Sequence, residues 1–357
     1  MNNNHLKIFK IIAIIYIALI SLYFFQFYDF DSPIFIESSI NTIVVPTLEH
    51  EIIPSKNYVY SAAMQIGWNK IIKDFFKETV EIENQPCYIK HLNAHINDSF
   101  YITDESCKTY LGINDNNIID QINNDLANKN LKHTVINNSN VKGLTLYSTI
   151  NKKFTFANYF ESFKSKIKFS TNEIEVKAFG IKKDSGSTRH KLLRNQVFIH
   201  YLSNTHNSPQ HFIIELISNS VDDSIIISTL EPKNTMLETF ESLHKMSNAH
   251  RSKAQYPINS LKIPKLNFNI FHRQADLINK TIKNSHNCLE IIDAINNIYF
   301  NINEKGVKFS SAYVQNMLFG VPPDIIVNKA FVIYLINKKS KFPYFMAYIG
   351  NDELLLK

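Results

Sequence analysis

The chain has 357 residues, of which 45% are hydrophobic and 20% charged, with a net charge of +6 and only 8 glycines. Such a balance suits one large globular domain or two small ones and excludes long disorder. The lysines are dispersed, as at Lys164, Lys166 and Lys168 and at Lys338, Lys339 and Lys341, without a long basic block, so no nucleic-acid partner is expected.

The N-terminus carries Lys7 and Lys10, then an almost unbroken apolar run from Ile11 to Phe25 that continues past Gln26 to Tyr28. In lipid every backbone polar group must be paired internally, so this run would be a helix. No small-x-small cleavage site follows it. Residues 1–28 therefore read as an uncleaved signal anchor, lysines in the cytoplasm and the remainder outside it, with a cleaved signal peptide and a secreted product as the alternative. Residues 29–55, with Pro33, Pro46 and Pro54, read as a stalk, and 56–357 as the folded domain.

Asn57–Phe76 starts as an extended segment and continues as a largely buried helix through Met64, Trp68, Ile71 and Phe75. Ile118, Ile119, Ile122 and Leu126 recur at helical intervals. Strands are expected over Gly143–Ile150 and Ile174–Ile181. Lys164, Lys166 and Lys168 alternate with Ile167 and Phe169 as the wet face of a strand. Val197–Leu202, Phe212–Ile217 and Ile225–Leu230 form an antiparallel meander of β-branched runs. Thr235 and Glu238 make a capping box for a helix with Met236, Leu237, Phe240 and Leu243 on one face. A strand over Leu261–Leu266 precedes a short helix near Gln274–Ile278. A further strand ends at Glu304–Gly306. After Pro322–Pro323 come two β-rich runs, Ala330–Ile336 and Tyr344–Ile349, joined by a turn into a hairpin.

No catalytic constellation stands out. The chain lacks a Gly-x-Ser-x-Gly elbow, a phosphate-binding glycine loop and His-Glu-x-x-His. His200, His206 and His211 read as surface or strand-end histidines, and no metal site or cofactor is expected. Nothing in the sequence brings Asp222–Asp223 to Glu304. Cys87, Cys107 and Cys288 are too few for a disulfide framework. In an exported chain Cys87–Cys107 would close a loop of about twenty residues, worth about 3 kcal/mol; buried thiols are the alternative.

The order of parts from Gly143 to the end resembles the serpins, the serine-protease-inhibitor family. The matching residues are Leu261-Lys262-Ile263-Pro264-Lys265-Leu266, Glu304 and Gly306, Pro322-Pro323, Asn328-Lys329-Ala330-Phe331 and Phe345-Met346. The resemblance implies a shortened α+β serpin-like fold: large antiparallel and mixed sheets, flanking helices and a buried C-terminal hairpin. It also implies a reactive loop over Val307–Val321, with the counterpart of the cleavage bond near Leu318, Phe319 and Gly320. A serpin traps its protease when the cut loop inserts as a new strand into the main sheet.

Trapping members carry small residues after the hinge, whereas here Glu304 and Gly306 are followed by Val307, Phe309 and Tyr313. Alternate residues of an inserted strand face the packed side, and a large ring there costs about 1–3 kcal/mol per site. The expectation is therefore a non-catalytic protein, not an enzyme, acting through its loop and surface on a protease or another protein without efficient trapping. Two alternatives stay open: a genuine serine or cysteine protease inhibitor, and a structural membrane-anchored envelope protein.

Overall fold

In the computed structural model, the residues described are 32–37, 39–96, 106–113, 116–128, 144–150, 152, 154–170, 173–203, 209–249, 257–283, 289–305 and 322–357. Contacts divide the chain into Met1–Pro33 and Ile34–Lys357, and the described strands and helices all belong to the second unit. The apolar run Ile11–Tyr28 lies outside the described residues. Among those described, no helix is long and apolar enough to cross a membrane.

Strands β1 (Ile34–Ile36) and β2 (Thr42–Val45) come from the stretch expected to be a stalk. Their prolines sit outside the paired residues, and the short β-branched runs Ile-Phe-Ile and Thr-Ile-Val-Val bury apolar side chains instead. β3 (Asn57–Ser61) leads into α1 (Ala63–Ile71), which a π-helical turn extends through Phe76, as the periodicity predicts. α1 is buried through Trp68 and Ile71, and Gly67 lets it approach the main sheet: a Cβ there would collide with Ser148 Oγ and Leu146. Next come α2 (Tyr88–Ala94), β4 (Cys107–Ile113), α3 (Asn116–Asn128) and β5 (Leu144–Ile150).

Short strands β6 (Glu161–Ser162), β7 (Ile167–Phe169), β8 (Ile174–Val176) and β9 (Ala178–Ile181) follow. Ile167 and Phe169 are buried and Lys168 is exposed, the alternation read from the sequence. The single strand expected over Ile174–Ile181 is two, because β8 pairs with β7 while β9 joins another sheet. After α4 (Ser187–Arg194) the meander forms as expected: β10 (Val197–Leu202), β11 (Phe212–Leu216) and β12 (Asp223–Ser228). α5 (Met236–Ala249) begins where the capping box puts it, the Glu238 N–H donating to Thr235 Oγ1 at 3.1 Å.

β13 (Ser260–Pro264), β14 (Leu266–Arg273), β15 (Lys280–Thr281) and β16 (Glu290–Ile302) come next. The helix expected near Gln274–Ile278 is instead a set of turns, closed by Leu277 N–H to Gln274 O at 3.1 Å. This short link joins β14 to β15, both antiparallel to β16, and buries Leu277 without completing a helix. β17 (Asp324–Ile326), β18 (Phe331–Asn337) and β19 (Phe345–Ile349) end the chain of strands, the last two forming the expected hairpin.

Three sheets carry the fold. The main sheet runs β1-β14-β16-β5-β4, with β15 on β16; a second runs β10-β11-β12-β18-β19-β3-β2; a third runs β17-β13-β9-β6. Both hairpin strands are buried at every residue. Phe345 stacks on Phe300 of the main sheet with centroids 4.4 Å apart, and Tyr334 meets Phe240 of α5 edge to face at 5.4 Å.

Gly180 holds β9 against β13 with a φ of 151°, and a Cβ there would run into the Leu261 carbonyl oxygen. Gly180→Ala is expected to lower stability by about 2 kcal/mol or more, read from the midpoint of urea unfolding.

Candidate functional site

β16 is the strand that leads toward the segment read as the reactive loop. Its pairing with β5 is parallel and runs from Ile291–Leu144 to Asn296–Ser148, where it stops. From Asn297 to Ile302 it pairs on its β14 side alone among the described residues. A chain segment returning from the end of β16 therefore has the β5-side edge of residues 297–302 to lie against.

The end of β16 is tied down electrostatically. Glu304, read from the sequence as the first hinge residue, faces Lys265 with Oε2 to Nζ at 2.9 Å, and the two side chains are 18% and 4% exposed. Lys265 sits between β13 and β14, its N–H donating to Lys177 O and its carbonyl accepting from Leu356 N–H. An ammonium this deep needs a counter-charge, and Glu304 supplies it. Gly306, Val307, Phe309, Leu318, Phe319 and Gly320 lie outside the described residues.

At the far end of that segment, β17 pairs in parallel with β13. Asp324 accepts from Ser260 Oγ at 2.7 Å and Asn259 Nδ2 at 2.8 Å, and Lys183 Nζ lies 2.6 Å away. Burial pushes its carboxyl up, but the hydrogen bonds from Lys183, Ser260 and Asn259 outweigh it and hold the group below its ordinary value. Both ends of the 306–321 segment thus leave from charge-anchored strands.

The other candidates fall elsewhere. Asp223 is paired with Lys152 at 2.8 Å beneath the Ser220 hydroxyl, so it and Glu304 each have their own lysine and do not form an acid pair. His200 is not a surface residue: its side chain is fully buried, mid-strand, with Nε2 3.0 Å from Glu215 Oε2. One signal was present in the sequence, since β10 and β11 are adjacent strands whose inward positions these residues occupy. His211 Nδ1 lies 3.1 Å from Thr229 O, and His206 is outside the described residues. Among the described residues no group of His, Cys, Asp or Glu is placed to hold a metal ion. Cys87 and Cys107 are free cysteines: Cys87 is exposed ahead of α2, whereas Cys107 opens β4, paired with Ile150. Cys288 lies outside the described residues.

No family model matches the sequence, and neither does any curated protein. Solved structures do. Thyroxine-binding globulin in complex with thyroxine is 14% identical, with a TM-score of 0.51 over 84% of this chain and 93% of that one. Native protease nexin-1 with heparin is 12% identical with a TM-score of 0.53, covering 84% and 93%, and human glycosylated kallistatin is 12% identical at 0.50, covering 84% and 92%. This chain has the serpin fold. The match covers 84% of this chain and so reaches beyond the stretch from Gly143 onward on which the resemblance was read.

The two anchors have measurable consequences. Glu304→Gln leaves the Lys265 ammonium buried without its counter-charge, so stability should fall by about 3 kcal/mol, whereas Glu304→Gln combined with Lys265→Met should recover part of that loss in a denaturant-unfolding cycle. Because the Asp324 carboxyl is held below its ordinary value, its contribution is present above about pH 4 and lost as pH falls through its folded value. Asp324→Asn should thus flatten the acid limb of a stability-versus-pH curve.

Proposed function

We propose that this serpin-fold chain is non-catalytic and works through its 307–321 loop and surface, engaging a protease or another protein without trapping it efficiently. The observation that carries this reading is the pairing of β16 with β5, which among the described residues runs up to Asn296–Ser148 and leaves only residues 297–302 open. Insertion of a cut loop must use the free edge of residues 297–302 and then separate β16 from β5, whose pairing already runs up to Asn296–Ser148. The buried Lys265–Glu304 pair fastens the end of β16 to its β14 side, where Leu266 pairs with Ile302. The first residues to insert would include Val307, Phe309 and Tyr313, whose bulk opposes entry into a packed sheet. A cut loop then stays outside, and the protease is released.

The apolar run Ile11–Phe25 is proposed to anchor the protein in a membrane, with the serpin-fold unit outside the cytoplasm, or secreted if the run is removed.

Limited proteolysis of the full-length protein followed by thermal unfolding of the nicked product tests this reading. Cleavage between Val314 and Val321 with no gain in melting temperature is the expected result. A rise of tens of degrees after the cut means that the loop has inserted, which makes the protein a trapping inhibitor. Resistance to every protease tried would remove the loop as an interaction site.

A further inference from the structure

Between α1 and the inner face of the main sheet lies a cavity of about 50 Å³. Trp68 and Ile71 of α1, Leu146 of β5, Ile291 and Ala294 of β16 and Leu277 of the turn after β14 form its walls, and none of the described lining residues is charged. Ser148 and Asn296 also border it, but the Ser148 hydroxyl is 3.3 Å from Thr109 Oγ1 and the amide atoms of Asn296 have no surface to offer the space. A water held here would lack the polar partners it needs, so the walls favour an apolar occupant.

The volume sets the size of that occupant. An apolar cavity of about 150 Å³ holds benzene, about 25 Å³ per carbon, so 50 Å³ takes about two carbons or one xenon atom. Met64 and Leu146 are partly exposed, which leaves a way in between α1 and the sheet.

From this arrangement we infer that the cavity is a binding site for a small, uncharged apolar molecule of ethane or xenon size, and that its occupant holds β16 against β5. The occupant supplies the dispersion contacts that wall atoms lack across a void, and it brings no polar group to desolvate. One wall belongs to β5 and another to β16, so the full set of contacts exists only while the two strands stay paired. A ligand that binds the paired state alone shifts the equilibrium toward it. The site uses no residue of the loop, so the outcome of loop proteolysis does not bear on it.

Xenon and ethane, dissolved under pressure, are the probes, with benzene and methanol as controls, followed by methyl-resolved NMR of the full-length protein. Both probes should shift the methyl signals of Ile71, Leu146, Leu277 and Ile291 saturably and slow amide exchange at residues 144–148 at least about threefold. Benzene, which is too large, and methanol, whose hydroxyl finds no partner there, should do neither. Ala294→Val places two further carbons in the space and should weaken both probes at least about tenfold. If that variant does not fold, Leu277→Ala takes three carbons from the wall, and benzene should then bind. No saturable shift with xenon or ethane, unchanged exchange at residues 144–148, methanol bound as well as ethane, or selectivity unchanged in the folded variants would each overturn the assignment.

Discussion

Burial of the C-terminal hairpin on both faces is the constraint on which the rest of the structure depends. β18 and β19 are buried at every residue, and they occupy the middle of their sheet, between β12 on one side and β3 on the other. A strand wetted on one face alternates apolar and polar residues; Phe-Val-Ile-Tyr-Leu-Ile does not, and so it needs cover on both. The main sheet supplies one cover through Phe300 on Phe345, and α5 the other through Phe240 against Tyr334. Each fully buried apolar side chain of this kind contributes about 1.5–3 kcal/mol, so the hairpin is a large share of the driving force.

Because the hairpin is last in sequence and central in space, the first strands close around it. β3 pairs with β19 and β2 with β3, so residues 42–61 meet residues 345–349. Asn57 fastens the join: its Oδ1 accepts from the N–H groups of Gly350 and Asn351 at 2.9 and 3.0 Å, and its Nδ2 donates to Asn351 Oδ1 at 2.7 Å. Ser39 and Thr42 donate to Glu353 beside it. The segment expected to be a stalk is part of the sheet for this reason. At the seam between β16 and β5, pairing covers only part of β16.

The two parts of that seam differ in chemistry. Its upper part, from Asn297 to Ile302, has an edge to offer a returning strand, while the buried Lys265–Glu304 pair ties the end of β16 to the β14 side. Its lower part, from Ile291 to Asn296, is paired with β5 and backed by α1.

Local chemistry carried much of this. The capping box at Thr235, the alternation of Ile167, Lys168 and Phe169, the β-branched meander and the final hairpin are short-range patterns, and the sequence by itself determined them, because propensity, period and turn residues act within a few positions. Glu304 was singled out as a hinge counterpart only through the resemblance, which rests in part on the spacing from Gly306 to Pro322. Lys265 was legible as part of a Pro-Lys strand, but its role as the partner of Glu304 was not. Only the tertiary structure decided which strands meet: that residues 34–45 join two sheets, that Ile174–Ile181 divides between two others, that Gln274–Ile278 is a turn, and that His200 is buried against Glu215. Each of these depends on contacts between residues far apart in the chain, where burial and pairing outweigh the local preference.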